Sequence, residues 1–141
     1  MTLPEHSIAG GWLGTYAYGG IESRQPPVRF EATWTMQSDD GRFSGPVLDD
    51  GALGEADTDG MQTGRQVAFT KVYVNQSSSY THPIAYEGTL SEDGTTVAGT
   101  WRLSRISGTW DARRLWSEGS SAARAETGAE AASTRELVSA P

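Results

Sequence analysis

The chain has 141 residues, a formal net charge of −7 with 11 Lys and Arg against 18 Asp and Glu, and no cysteine. That length supports one domain with a real core; the acidic balance argues against a nucleic-acid partner, whose phosphates demand a basic face, and the missing thiols exclude disulfides, thiolate metal sites and a cysteine nucleophile. No apolar run reaches the roughly eighteen residues that a membrane-spanning helix requires, and the opening Met-Thr-Leu-Pro-Glu-His-Ser lacks the basic and apolar regions of a secretion signal, so a cytoplasmic protein is expected.

Glycine is abundant, at 17 residues, alongside five Trp, five Tyr and three Phe, a composition suited to tight turns and pleated surfaces. Residues 1–9 read as an entry arm. The first strand covers residues 11–18, with Trp12, Gly14, Tyr16 and Tyr18 on one side. Residues 19–27 form a loop in which Pro26-Pro27 bars ladder pairing; its length makes it a candidate lid or mouth. The second strand has the cleanest alternation, with Val28, Phe30, Ala32, Trp34 and Met36 against Arg29, Glu31, Thr33, Thr35 and Gln37, so that one face is buried and the other wet. Asp39-Asp40-Gly41 is a turn. Residues 42–48 return with Phe43, Gly45 and Val47 inward and an interruption at Pro46. Asp49-Asp50-Gly51 marks the next turn.

The piece from 54 to 64, where Glu55, Asp57 and Asp59 alternate with small residues, reads as a short twisted strand at a barrel rim. The run 66–74 then places Val67, Phe69, Lys71 and Tyr73 on a single face. Residues 75–81, with three consecutive serines, are a second candidate mouth loop. Ile84, Tyr86, Gly88 and Leu90 face inward on the following strand. Glu92-Asp93-Gly94 turns into a strand with Val97, Gly99, Trp101 and Leu103 inward. A last strand, 108–114, turns Trp110 and Ala112 inward with Arg114 in the same register. Sequential hairpins of this kind predict an all-β fold, a single antiparallel up-and-down β-barrel of about eight strands over residues 10–116. Closure removes both sheet edges and leaves an interior for side chains or one small ligand. Residues 117–141 contain no aromatic and no convincing apolar stripe, and read as a mobile or partly helical tail.

Gly10-Gly11-Trp12 at the start, with Arg113 and Arg114 at the end, resembles the calycin superfamily of lipocalins, fatty-acid-binding proteins and avidins. Gly99-Thr100-Trp101 and Gly108-Thr109-Trp110 are similar to the Gly-Thr-Trp strands of avidins. The resemblance covers roughly residues 10–114. It implies a closed barrel in which a basic residue of the last strand stacks on the indole of the first, a contact worth about 0.5–2 kcal/mol. The avidin-like strands also allow a homodimer.

Lys71 is the only lysine of the chain. Placed among aromatics, it needs a partner or a shifted pKa, because an unpaired buried charge is very costly. It is suited to bind a carboxylate or enolate or to form a Schiff base; the plainer alternative is a rim lysine that reaches water or pairs with a carboxylate such as Glu87. Lys71, with Tyr73 and Tyr86, is the candidate catalytic group. Trp12, Tyr16, Tyr18, Phe30, Trp34, Met36, Phe43, Phe69, Trp101 and Trp110 are the candidate ligand wall, whose indoles and hydroxyls suit a cavity for a planar, conjugated or polyene guest. Asp57-Thr58-Asp59-Gly60 matches only part of a calcium loop and reads as a turn. His6 and His82 do not suggest a metal site, Ser77–Ser79 lack a nucleophile-elbow context, and no cofactor is expected.

Three functions are compatible with these residues. The first is binding of a small, mainly apolar or conjugated molecule. The second is cofactor-free cyclisation or isomerisation of a polyketide-like substrate in specialised metabolism, acting by orientation as in small barrels that resemble the spirotetronate cyclases. The third is a structural or interaction module with a filled core and a recruiting tail.

Overall fold

The computed structural model describes residues 6–20, 24–50, 54–74 and 82–117. Eight strands follow in order: β1 (Gly10–Tyr18), β2 (Val28–Met36), β3 (Arg42–Asp49), β4 (Glu55–Thr63), β5 (Gln66–Tyr73), β6 (Ile84–Leu90), β7 (Thr96–Leu103) and β8 (Ile106–Ser117). Each pairs antiparallel with the next, and β8 pairs with β1 to close the barrel. The up-and-down architecture expected from the hairpin spacing is therefore the one observed, consistent with a calycin-like fold. The tail beyond residue 117, the serine loop 75–81 and part of the loop after β1 lie outside the described residues. No helix among the described residues is long and apolar enough to cross a membrane.

Two elements depart from the sequence pattern. β4 is a full strand of nine residues, not a short rim piece. Its inward positions Ala56, Thr58, Gly60 and Gln62 are small or polar because large rings from neighbouring strands fill the space above them: a Cβ on Gly60 would lie 2.4 Å from Cβ of Phe69. Asp57-Thr58-Asp59-Gly60 is accordingly mid-strand, neither turn nor calcium loop. β8 extends to Ser117, with a register shift against β1 between Gly11 and Trp12. At Pro46 the anticipated interruption occurs: β2–β3 pairing steps from Ala32↔Val47 to Thr35↔Ser44, leaving Gly45 and Pro46 unpaired on that side.

The two ends of the barrel differ. At the end where β1 begins, the arm ahead of β1 crosses the opening with Ile8 and Ala9 buried. Gln62 holds this arm, accepting from the Ile8 amide at 2.8 Å and donating to the His6 carbonyl at 2.8 Å. Arg114 lies over Trp12, 4.4 Å from the ring centroid. Its guanidinium donates to the carbonyls of Ser7 (2.6 Å), Ala9 (2.9 Å) and Gly94 (2.8 Å). Of the two arginines that carry the resemblance, Arg114 makes the stack and Arg113 points to solvent. The opposite end is where β1, β3, β5 and β7 finish, and there Tyr18, Val28 and Leu103 are only partly buried against the core.

Candidate functional site

Alternation carries Lys71 into the interior, where β5 lies between β4 and β6. Its partner comes from a position read as the start of a turn: Asp49 is the last residue of β3 and continues the inward series of Phe43, Gly45 and Val47. The two side chains are 2 % and 0 % exposed. Nζ of Lys71 donates to both carboxylate oxygens of Asp49, at 2.9 and 3.0 Å. Glu87, the partner suggested by the sequence, is outward-facing and exposed; it occupies the other face of β6 from Tyr86 and Gly88, and a strand cannot turn consecutive side chains the same way.

Three tyrosines complete the cluster. The Tyr16 hydroxyl donates to Asp49 Oδ2 at 2.8 Å, the Tyr73 hydroxyl donates to the same oxygen, and the two hydroxyls are 3.2 Å apart. Lys71 also donates to the Tyr86 oxygen across a long 3.5 Å. The ammonium lies 4.5 Å from the ring centroid of Tyr16, 4.8 Å from that of Tyr73 and 5.6 Å from that of Tyr86, so aromatic faces replace much of its lost hydration. Burial lowers the Lys71 pKa, against which the Asp49 charge works to raise it. Burial raises the hydroxyls of Tyr16, Tyr73 and Tyr86 well above their ordinary value, so all three are neutral at physiological pH.

Below the cluster the interior is a continuous aromatic stack. Phe69 and Tyr86 lie parallel, with centroids 4.8 Å apart and planes within 9°. Trp34 and Trp110 meet Phe69 at 5.1 and 5.5 Å, and Phe43 meets Trp34 at 5.5 Å. Inward glycine makes room for these rings: a Cβ on Gly88 would come within 2.7 Å of Trp110. The centre is thereby nearly full. Between Lys71, Tyr86, Phe30, Trp34, Val47 and Phe69 there is a void of only about 10 Å³, the room of a single water. Among the described residues, those six side chains leave no preformed space of ligand size between them.

The indole donors expected to face a ligand are used by the protein. Trp12 donates to the Ile8 carbonyl (2.8 Å), Trp34 to the Thr58 hydroxyl (2.7 Å), Trp101 to the Ala17 carbonyl (3.1 Å) and Trp110 to the Glu87 carbonyl (2.9 Å). The sequence-designated residues therefore sort by height. Tyr16, Phe30, Tyr73 and Tyr86 surround Lys71. Trp34, Phe43, Phe69 and Trp110 fill the middle. Tyr18 and Trp101 meet edge-on at 5.1 Å near the loop end. Trp12 is sealed beneath Arg114, and Met36, at the far end of β2, is only partly buried. Asp49 is the residue that sequence reasoning missed, although counting by twos from Phe43 reaches it. Among the described residues no group of three or more His, Asp or Glu is placed to hold a metal ion. No family model, curated protein or solved structure matches the chain.

Proposed function

We propose that this barrel binds a small, mainly apolar molecule through its loop end, the polar terminus of the guest reaching Lys71 and Tyr86. The observation that carries this reading is the buried Lys71–Asp49 pair with its three tyrosines, set toward the loop end of an aromatic barrel whose other end is sealed. A buried ion pair is a poor source of stability, since apolar residues of the same size often serve as well or better; clustered ionisable groups with shifted pKa values are more typical of working sites. Because the centre is nearly full, the guest takes its place by moving side chains at the partly buried rim, where Tyr18, Val28 and Leu103 lie.

The test is tryptophan fluorescence of the full chain during titration with a panel of neutral and acidic aromatic and polyene compounds. Saturable quenching is expected from at least one class, and it should weaken when Leu103→Trp crowds the rim. Absence of saturable quenching across the panel defeats the proposal and leaves the interaction-module reading in its place. Cofactor-free cyclisation is a second reading, favoured by the proximity of the Tyr86 hydroxyl and the Lys71 ammonium, 3.5 Å apart and suited to stabilise a developing oxyanion. In that reading Tyr16 and Tyr73 position groups and transfer no proton, since both hydroxyls are held by Asp49.

A further inference from the structure

We infer that the guest is a neutral, planar, conjugated molecule bearing a carbonyl oxygen that the Tyr86 hydroxyl recognises, and not a carboxylate; this rests on the binding reading above. The first argument counts donors. Four interior indoles, the hydroxyls of Tyr16 and Tyr73, and the Thr58 hydroxyl all donate to protein acceptors. Tyr86 is different. Its oxygen accepts the long bond from Lys71, yet among the described residues its own proton meets no acceptor, although the side chain is 4 % exposed. A buried donor without a partner is expensive, and Tyr86 is one of the six residues that line the void beside Lys71. The void has the size of one oxygen atom or one water. An acceptor that reaches the Tyr86 hydroxyl receives its proton and lies near the ammonium, which is 3.5 Å from that hydroxyl.

The second argument counts charges. Lys71 is the one buried cation among the described residues and Asp49 the one buried anion; both carboxylate oxygens are within 3.0 Å of Nζ. The positive charge that a fatty acid or other carboxylate would need is already matched. A second carboxylate would place an uncompensated negative charge among Phe30, Trp34 and Phe69, which line the same void. A ketone, aldehyde, ester or amide oxygen brings no such charge, and the elevated pKa of the Tyr86 hydroxyl keeps it a donor for that oxygen. Flatness follows from the walls: the parallel faces of Phe69 and Tyr86 are continued by a planar π-system more readily than by a branched aliphatic one.

Three naphthalenes of nearly equal shape test this: acetylnaphthalene, naphthoate and ethylnaphthalene, all substituted at the same ring position. Each is titrated into the full chain at neutral pH with tryptophan fluorescence as readout, and the series is repeated with Tyr86→Phe, which keeps the ring and removes the hydroxyl. The ketone should bind about tenfold more tightly than either the carboxylate or the hydrocarbon, the factor that one good hydrogen bond supplies. Tyr86→Phe should remove that advantage while leaving the ethyl compound unchanged. If naphthoate binds most tightly, or if Tyr86→Phe leaves the ketone's advantage intact, the inference is overturned while the binding reading survives. If none of the three quenches saturably while another class of the panel does, the inference falls alone; if nothing in the panel quenches, both fall together.

Discussion

Asp49 and Lys71 form a unit whose members cannot be removed separately without cost. The carboxylate accepts from Lys71, Tyr16 and Tyr73, and all four side chains are buried. Asp49→Asn keeps the shape and removes the charge, stranding the ammonium in an aromatic shell. Taking one partner from a buried pair typically costs about 3–5 kcal/mol, and a shift of that size in urea unfolding is expected here. Lys71→Met strands the carboxylate instead, so the double variant Asp49→Asn, Lys71→Met should cost less than the two single variants added together. Strict additivity in that cycle would show that the two groups do not act as a pair.

At the scale of elements, closure depends on how β8 meets β1 and the arm ahead of it. Arg114 stacks on Trp12 and donates to three carbonyls, two of them in the arm. It thus ties the first and last elements together at the point where an open sheet would have exposed its edges. Arg114→Ala is expected to destabilise the barrel by about 2–4 kcal/mol, combining the lost stack with carbonyls left without donors. Arg114→Lys should recover little, because a point charge cannot reproduce the planar fork. Hydrogen exchange at the Ile8 amide, which Gln62 accepts, reports whether the arm has come loose; unchanged protection in Arg114→Ala would deny the arginine this role. β4 gives the converse lesson, since its acidic outward residues form a full strand only because neighbouring aromatics occupy its inner side.

For the molecule as a whole, the tyrosines set the behaviour at high pH. Folding raises the pKa of Tyr16, Tyr73 and Tyr86 above the ordinary 10.0, so above that pH the unfolded chain releases protons that the folded chain retains. Stability from these groups is complete below pH 10.0 and declines as pH rises beyond it. Lys71 acts with the opposite sign: its lowered folded pKa makes stability rise with pH up to its ordinary 10.5. Three tyrosines against one lysine give a net loss on the alkaline side. Tyrosinate absorbance of this group should therefore appear together with loss of the β-sheet circular dichroism signal. Ionisation of all the tyrosines well before unfolding would contradict the buried cluster.

Much of this architecture can be read in the amino-acid order, because strand alternation and Asp-Gly turns are local properties with a period of two residues. Phe43, Val47, Phe69, Tyr86 and Trp110 point inward as their parity requires, and Trp12 meets Arg114 as the resemblance implies. Parity also held the answer for Lys71, placing Asp49 inside and Glu87 outside, but the turn preference of Asp-Asp-Gly masked it. The state of the interior was beyond any such count. Whether aromatic walls enclose a cavity or fill it depends on the stagger of eight strands, on which glycines stand opposite which rings, and on how those rings tilt. Those are relations between residues distant in the chain, and they exist only once the barrel has closed.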